Sequence, residues 1–196
     1  MIPRNVQITL VLLLVAILGS GIYILRLHRR TQENLRRASD AHPVGPPIAG
    51  STESVKLTVA YDDDGVFRSR ETTATLPSEP GARAKEILET LITEYANKPS
   101  PHPLAEGSAV NSVFLVHQKL AVIDVNQALA DGHRSGIMVE DFTIISLIDT
   151  LTSNLPQVEQ VKILVEGKER ETLAGHADMK STYSSAAVHA LVQQLQ

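Results

Sequence analysis

Twenty consecutive residues from Val6 to Leu25 carry no charge, interrupted only by Gln7, Thr9, Gly19, Ser20 and Gly21. At about 1.5 Å of rise per residue, a helix of that length reaches about 30 Å, the hydrocarbon thickness of a bilayer. The sequence has one such run, and beyond Leu25 polar and apolar residues are mixed. This predicts a single transmembrane helix over 6–25 carrying one water-soluble domain. A cleaved secretory signal is the competing reading, because Gly19-Ser20-Gly21 offers small residues of the kind a signal peptidase accepts. The apolar stretch continues through Ile22, Tyr23, Ile24 and Leu25, so cleavage there would leave a hydrophobic stub. An uncleaved anchor is the expectation. With no cysteine in the chain, neither a lipidated cysteine nor a disulfide is available.

The flanks of the run bear on orientation. Arg4 precedes it, whereas Arg26, Arg29, Arg30, Arg36 and Arg37 come after it. By the positive-inside rule alone the domain would face the cytoplasm. Residues 1–50 carry six arginines against Glu33 and Asp40, a net charge of +4; the remainder carries 12 Lys/Arg against 20 Asp/Glu, a net of −8. A basic collar can rest on anionic headgroups, while an acidic domain is repelled by them and by nucleic acid. A DNA- or RNA-binding role is therefore not expected.

Between Ala38 and Ser54, Pro43, Gly45, Pro46, Pro47 and Gly50 stand among few apolar residues, the composition of a linker. The expected plan is a short flank (1–5), the transmembrane helix (6–25), a basic juxtamembrane segment and linker (26–53), an α/β domain (54–183) and a helical tail (184–196).

Val55 to Tyr61 alternates with the two-residue period of a half-buried strand. Asp62-Asp63-Asp64-Gly65 then makes a turn, and Val66 to Leu76 pairs back. Ser78-Glu79-Pro80 opens a helix whose Ala84, Ile87, Leu88, Leu91, Ile92 and Tyr95 share one face. Asn97 to Glu106, with three prolines, is expected as an exposed loop. Val110–His117 and Leu120–Asn126 form a second hairpin, and Val139–Asn154 a long helix. Val158–Val165 makes the fifth strand, and Ser184–Gln196 a weaker helix with Ala187, Val188, Leu191 and Leu195 turned inward. The fold class is α/β in ββαββαβ order, with two helices packed on one face of one mixed sheet. The expected core joins Ile87, Leu88, Leu91, Val122, Phe142, Ile145, Ile148 and Ile163.

In that order the segments resemble the GerMN domain of the sporulation and spore germination family. The resemblance rests on Val59-Ala60-Tyr61 with its acidic-Gly turn and on Ala121-Val122-Ile123-Asp124-Val125-Asn126. It continues through Ile145-Ser146-Leu147-Ile148-Asp149-Thr150-Leu151-Thr152, Val158 to Gly167, and Gly175-His176-Ala177-Asp178. It implies a small α/β fold related to the ring-building modules of bacterial envelope machines. It also implies a membrane-anchored or lipoprotein setting outside the cytoplasmic membrane, with no established catalytic residues. Two departures stand out: one domain replaces a tandem pair, and a helix replaces a lipidated cysteine as anchor.

Four constellations could carry chemistry. Counting Ala60 as position one, Asp62, Asp64, Gly65 and Glu71 fall where a calcium loop wants positions 3, 5, 6 and 12. Ala60 lacks the first carboxylate and Arg68 puts a cation at position nine, so a solvated acidic turn is expected instead. His176 and Asp178 could ligate a metal or form a catalytic pair, but no third ligand motif accompanies them. They are expected to close a turn through backbone hydrogen bonds. Gly132-His133-Arg134-Ser135-Gly136 could hold an anion at the following helix start, though a connecting loop is the simpler expectation. Asp124 and Asn126 end a strand nearby and are expected to make turn hydrogen bonds.

No catalytic, cofactor-binding or metal-binding residue is therefore assigned, and no cofactor is expected. The expected function is a non-catalytic, membrane-anchored scaffold with an envelope protein or a second copy of itself as partner. The alternative is an envelope hydrolase or polymer-binding domain. The resemblance places the domain outside the cytoplasmic membrane, against the flank charges.

Overall fold

The computed structural model describes residues 50–196. The apolar run, the basic collar and the proline-rich stretch to residue 49 lie outside the described residues. Among the described residues no helix is long and apolar enough to cross a membrane.

Strands β1 (Ser51–Tyr61) and β2 (Val66–Leu76) form an antiparallel hairpin whose register runs unbroken from Tyr61↔Val66 to Ser51↔Leu76. At its turn, Gly65 adopts φ +68°, a left-handed conformation that glycine takes without strain. β1 begins at Ser51, inside the expected linker. Its pairing with β2 carries it that far, and Glu53 at this end receives both guanidinium nitrogens of Arg83, with Nη1 2.9 Å from Oε1. Arg83 holds the Glu53 carboxyl down at about 2.

Helix α1 (Pro80–Ala96) starts as expected, with Glu79 capping the Gly81 and Ala82 N–H groups. Its buried face is Ala84, Ile87, Leu88, Leu91, Ile92 and Tyr95. β3 (Val110–Val116) pairs antiparallel with β4 (Leu120–Val125), and the short helix α2 (Gln127–Asp131) comes next. The long α3 (Ile137–Asn154) then leads to β5 (Gln160–Val165), parallel to β4. A two-residue β6 (Tyr183–Ser184) pairs antiparallel with β5 before α4 (Ser185–Gln194). Neither α2 nor β6 was expected; each is too short to show a period.

The single mixed sheet is corrected to two sheets, one of β1-β2 and one in the order β3-β4-β5-β6. Side chains hold the free edge of β1 where a strand would otherwise lie. Lys56 N–H donates to Asn154 Oδ1 (3.0 Å), Thr58 N–H to Thr150 Oγ1 (2.9 Å) and Ala60 N–H to the Tyr95 hydroxyl (2.9 Å). Alternate residues of a strand point their N–H groups to one edge, and helix side chains satisfy all three here. β1 therefore needs no second neighbour.

Nor do the helices form one layer on one face. Every residue of α3 from Phe142 to Thr152 is buried. β1, α1 and α4 all pack against α3, and Phe67 of β2 lies with its ring 4.6 Å from that of Phe142. The expected core is found buried together except for Val122, which is half-exposed; Ala121 and Ile123 face inward instead. On α4 the buried residues are Val188 and Val192, while Ala187 is exposed and Leu191 is 39% exposed.

Candidate functional site

Polar residues recur through the apolar α3 at Glu140, Thr143, Ser146, Asp149, Thr150 and Asn154, and the first five are buried. Most of these side chains tie the helix to another segment. Asp149 accepts from Thr58 Oγ1 (2.6 Å) and contacts His189 Nδ1 (2.9 Å), joining β1, α3 and α4.

The densest set lies at the amino-terminal end of α3. Four segments meet there: the turn 62–65 and the loops 97–109, 132–136 and 174–178. Glu140 is fully buried. Its Oε2 accepts the N–H groups of Ala174 (2.9 Å), His176 (2.9 Å) and Ala177 (3.0 Å). Its Oε1 accepts the N–H of Gly136 (3.1 Å) and faces His176 Nδ1 at 2.9 Å. Burial pushes this carboxyl upward, but His176 and the backbone N–H groups outweigh it and hold it at about 2.

Beside it, Thr143 Oγ1 stands 2.6 Å from both His102 Nε2 and His133 Nε2. His102 Nδ1 is 2.6 Å from Asp62 Oδ1, and His133 Nδ1 is 2.7 Å from the Arg134 carbonyl. The Arg134 guanidinium contacts the other Asp62 oxygen. Burial raises the Asp62 carboxyl, but His102 and Arg134 bring it below its usual value. His133 is lowered by burial, against a raising contribution from its bond to the Arg134 carbonyl.

An Asp-His-hydroxyl series is the arrangement that activates nucleophiles. Here the hydroxyl belongs to Thr143, 1% exposed, and the imidazole to His102, fully buried. A nearby cleft of about 650 Å³ is lined by Tyr95, Lys98, Ser100, Leu104, Glu106 and Ser108 among others, and by none of Asp62, His102, His133 or Thr143. The hydroxyl is therefore closed off from that cleft.

The structure places each candidate from the sequence. Asp62 is half-buried and engaged rather than solvated, while Asp64 pairs with Arg68 at 2.7 Å on the surface. Glu71 lies six residues past Gly65 in β2, opposite Lys56, about 20 Å along an extended strand. The calcium-loop positions are thus not brought together, and among the described residues no group of three His or carboxylate side chains could hold a metal.

Asp178 accepts the Lys180 N–H at 2.8 Å, the backbone bond expected. His176 is corrected: its ring meets the Glu140 carboxylate, not backbone. The anion position of the 132–136 loop is filled from within by Glu140, and Arg134 is committed to Asp62. Asn126 caps α2 through Leu129 N–H (3.0 Å), a local bond as expected, whereas Asp124 accepts from Gly167 N–H (2.7 Å), 43 residues along the chain. The 97–106 loop is not exposed throughout, because His102 anchors it inside.

Sequence reading missed His102, His133, Glu140 and Thr143 as a set. Glu140 and Thr143 carried one sequence signal, the polar spacing of three residues inside an apolar helix, and the two loop histidines shared none of it.

The family model described as sporulation and spore germination (Germane) matches residues 56–171, more than half of the chain. Among solved structures, the tandem GerMN domains of the sporulation protein GerM from Bacillus subtilis align at 20% identity with a TM-score of 0.52. That alignment covers 68% of this chain and 46% of the tandem, so this chain spans about half of that protein's length. The first GerMN domain alone aligns at 18% identity over 66% of this chain and 95% of that one, with a TM-score of 0.45. At these identities the tandem structure supports a shared fold and nothing finer. No curated protein sequence matches the chain.

Proposed function

The chain belongs to the sporulation and spore germination family, and on that premise we propose that it is a non-catalytic scaffold domain. In this reading the run 6–25 anchors it in the cytoplasmic membrane, the domain lies outside, and it assembles with another envelope protein. One observation carries the reading. The groups able to do chemistry are spent on holding segments together, and among the described residues no buried side-chain nitrogen or oxygen lacks a partner. A reactive centre ordinarily faces a cavity, and the cleft beside this cluster is lined by none of its members.

The test is crosslinking of the full chain in cells, with mass spectrometry of what co-purifies. His176→Ala, Asp178→Ala and Asp124→Ala should leave the crosslinked partner unchanged in any variant that folds. Loss of a biochemical activity in these variants at an unchanged thermal midpoint would replace the scaffold with a hydrolase. Orientation is tested by protease added to spheroplasts, which should cut near Pro43–Pro47. Protection until lysis would reverse it.

A further inference from the structure

We propose that the folded domain binds one proton in the series Asp62–His102–Thr143–His133–Arg134, beyond those that two neutral imidazoles supply. The series has four links, of 2.6, 2.6, 2.6 and 2.7 Å. Each is a hydrogen-bond distance and each requires one hydrogen. The two ends, the Asp62 carboxylate and the Arg134 carbonyl, only accept. Between them the Thr143 hydroxyl supplies one hydrogen and each neutral imidazole one more, three in all. Every choice of tautomers then leaves one link with two lone pairs face to face. The Thr143 hydroxyl also has the Val139 carbonyl at 3.3 Å, a longer contact that supplies no hydrogen and only competes for one. A fourth hydrogen removes the conflict and closes all four short links.

The surrounding charges place the added proton toward His102. Asp62, from the hairpin turn, presents its carboxylate to His102 Nδ1, and the His102 ring is fully buried. Tyr95, from α1, packs against that ring with centroids 4.8 Å apart; burial pushes its phenol pKa upward, so it adds no charge. His133 faces a neutral carbonyl, and Arg134 opposes a charge on it while Glu140 of α3 favours one. His176, the remaining nearby imidazole, is turned to Glu140. The short contacts then set the directions: His102 donates to Asp62 and to Thr143, Thr143 donates to His133 at 2.6 Å rather than to the Val139 carbonyl at 3.3 Å, and His133 donates to the Arg134 carbonyl.

The proton is therefore a structural ligand. Its removal breaks one of the links that fasten the turn 62–65 and the loops 97–109 and 132–136 to α3.

The experiment is nitrogen-15 spectroscopy of histidine rings in the full chain at pH 7, where an exposed imidazole is mostly neutral. The expected result is one buried ring protonated at both nitrogens and one protonated at Nδ1 alone. Two variants change the count differently. Thr143→Val splits the series into two pairs, each satisfied by a neutral ring. Asp62→Asn supplies a fourth hydrogen from its carboxamide. Each should abolish the doubly protonated ring, and Asp62→Asn should do so with the fold retained. Two neutral buried rings in the unsubstituted chain would overturn the proposal. So would a doubly protonated ring that persists in folded Asp62→Asn.

Discussion

Asn154 and Lys56 exchange two hydrogen bonds, the Asn154 Nδ2 donating to the Lys56 carbonyl at 2.7 Å and the Lys56 N–H donating to Asn154 Oδ1 at 3.0 Å. A side-chain amide thus imitates the peptide group of a neighbouring strand. With Thr150 and Tyr95 it closes the free edge of β1, the kind of edge that otherwise invites another chain to pair.

Thr150→Val keeps the shape of that contact and removes its acceptor, leaving the Thr58 N–H buried without a partner. The expected loss is about 1–3 kcal/mol of stability, read as a lower urea midpoint at unchanged slope. A midpoint equal to that of the unsubstituted chain would mean that water reaches this edge.

Leu88 has no exposed surface and sits on the buried face of α1. Leu88→Ala is expected to cost about 2–5 kcal/mol. Calorimetry should show a clearly lowered thermal midpoint, and an unchanged one would count against the core described.

Gly132 matters for space rather than conformation. A Cβ there would lie 2.5 Å from the Ala105 Cβ and 2.7 Å from the Ala128 carbonyl oxygen. Gly132→Ala should therefore force loop 97–109 away from α2 at a cost of about 1–3 kcal/mol. Chemical denaturation checks the size, and hydrogen exchange should show faster opening near His102.

Glu140 makes stability depend on pH in a defined direction. Its folded value is about 2 against an ordinary 4.5, so the carboxylate is the favoured form in the fold. The stabilisation is complete above about pH 4.5 and is lost as pH falls toward 2. Glu140→Gln should cost about 1.5–3 kcal/mol at pH 7. The gap to the unsubstituted chain should narrow below pH 4.5. A gap constant from pH 7 to pH 2 would show that the charge contributes nothing.

Strong periodicity made much of the fold legible. β2 and the buried face of α1 lie where the sequence placed them, because a long amphipathic pattern has one way to bury itself. What failed was non-local. That β1 would be edged by Asn154, some hundred residues away, leaves no trace in the spacing of β1, and so one sheet was expected where there are two. His102 reads as part of a proline-rich loop, and only the approach of Asp62 and Thr143 makes it a buried linker. The Asn126 cap was foreseeable because its partner Leu129 lies just ahead in the chain, whereas the Asp124 partner, Gly167, is 43 residues away.

The grip of Glu140 on Ala174, His176 and Ala177 also decides where this folding unit can end. The match to the family model ends at residue 171, three residues short of the first of those donors. A chain cut at that border would keep the anion in its interior and discard most of what neutralises it. The shortest piece able to fold is therefore longer than the stretch matched by the family model, and its tail is part of its foundation.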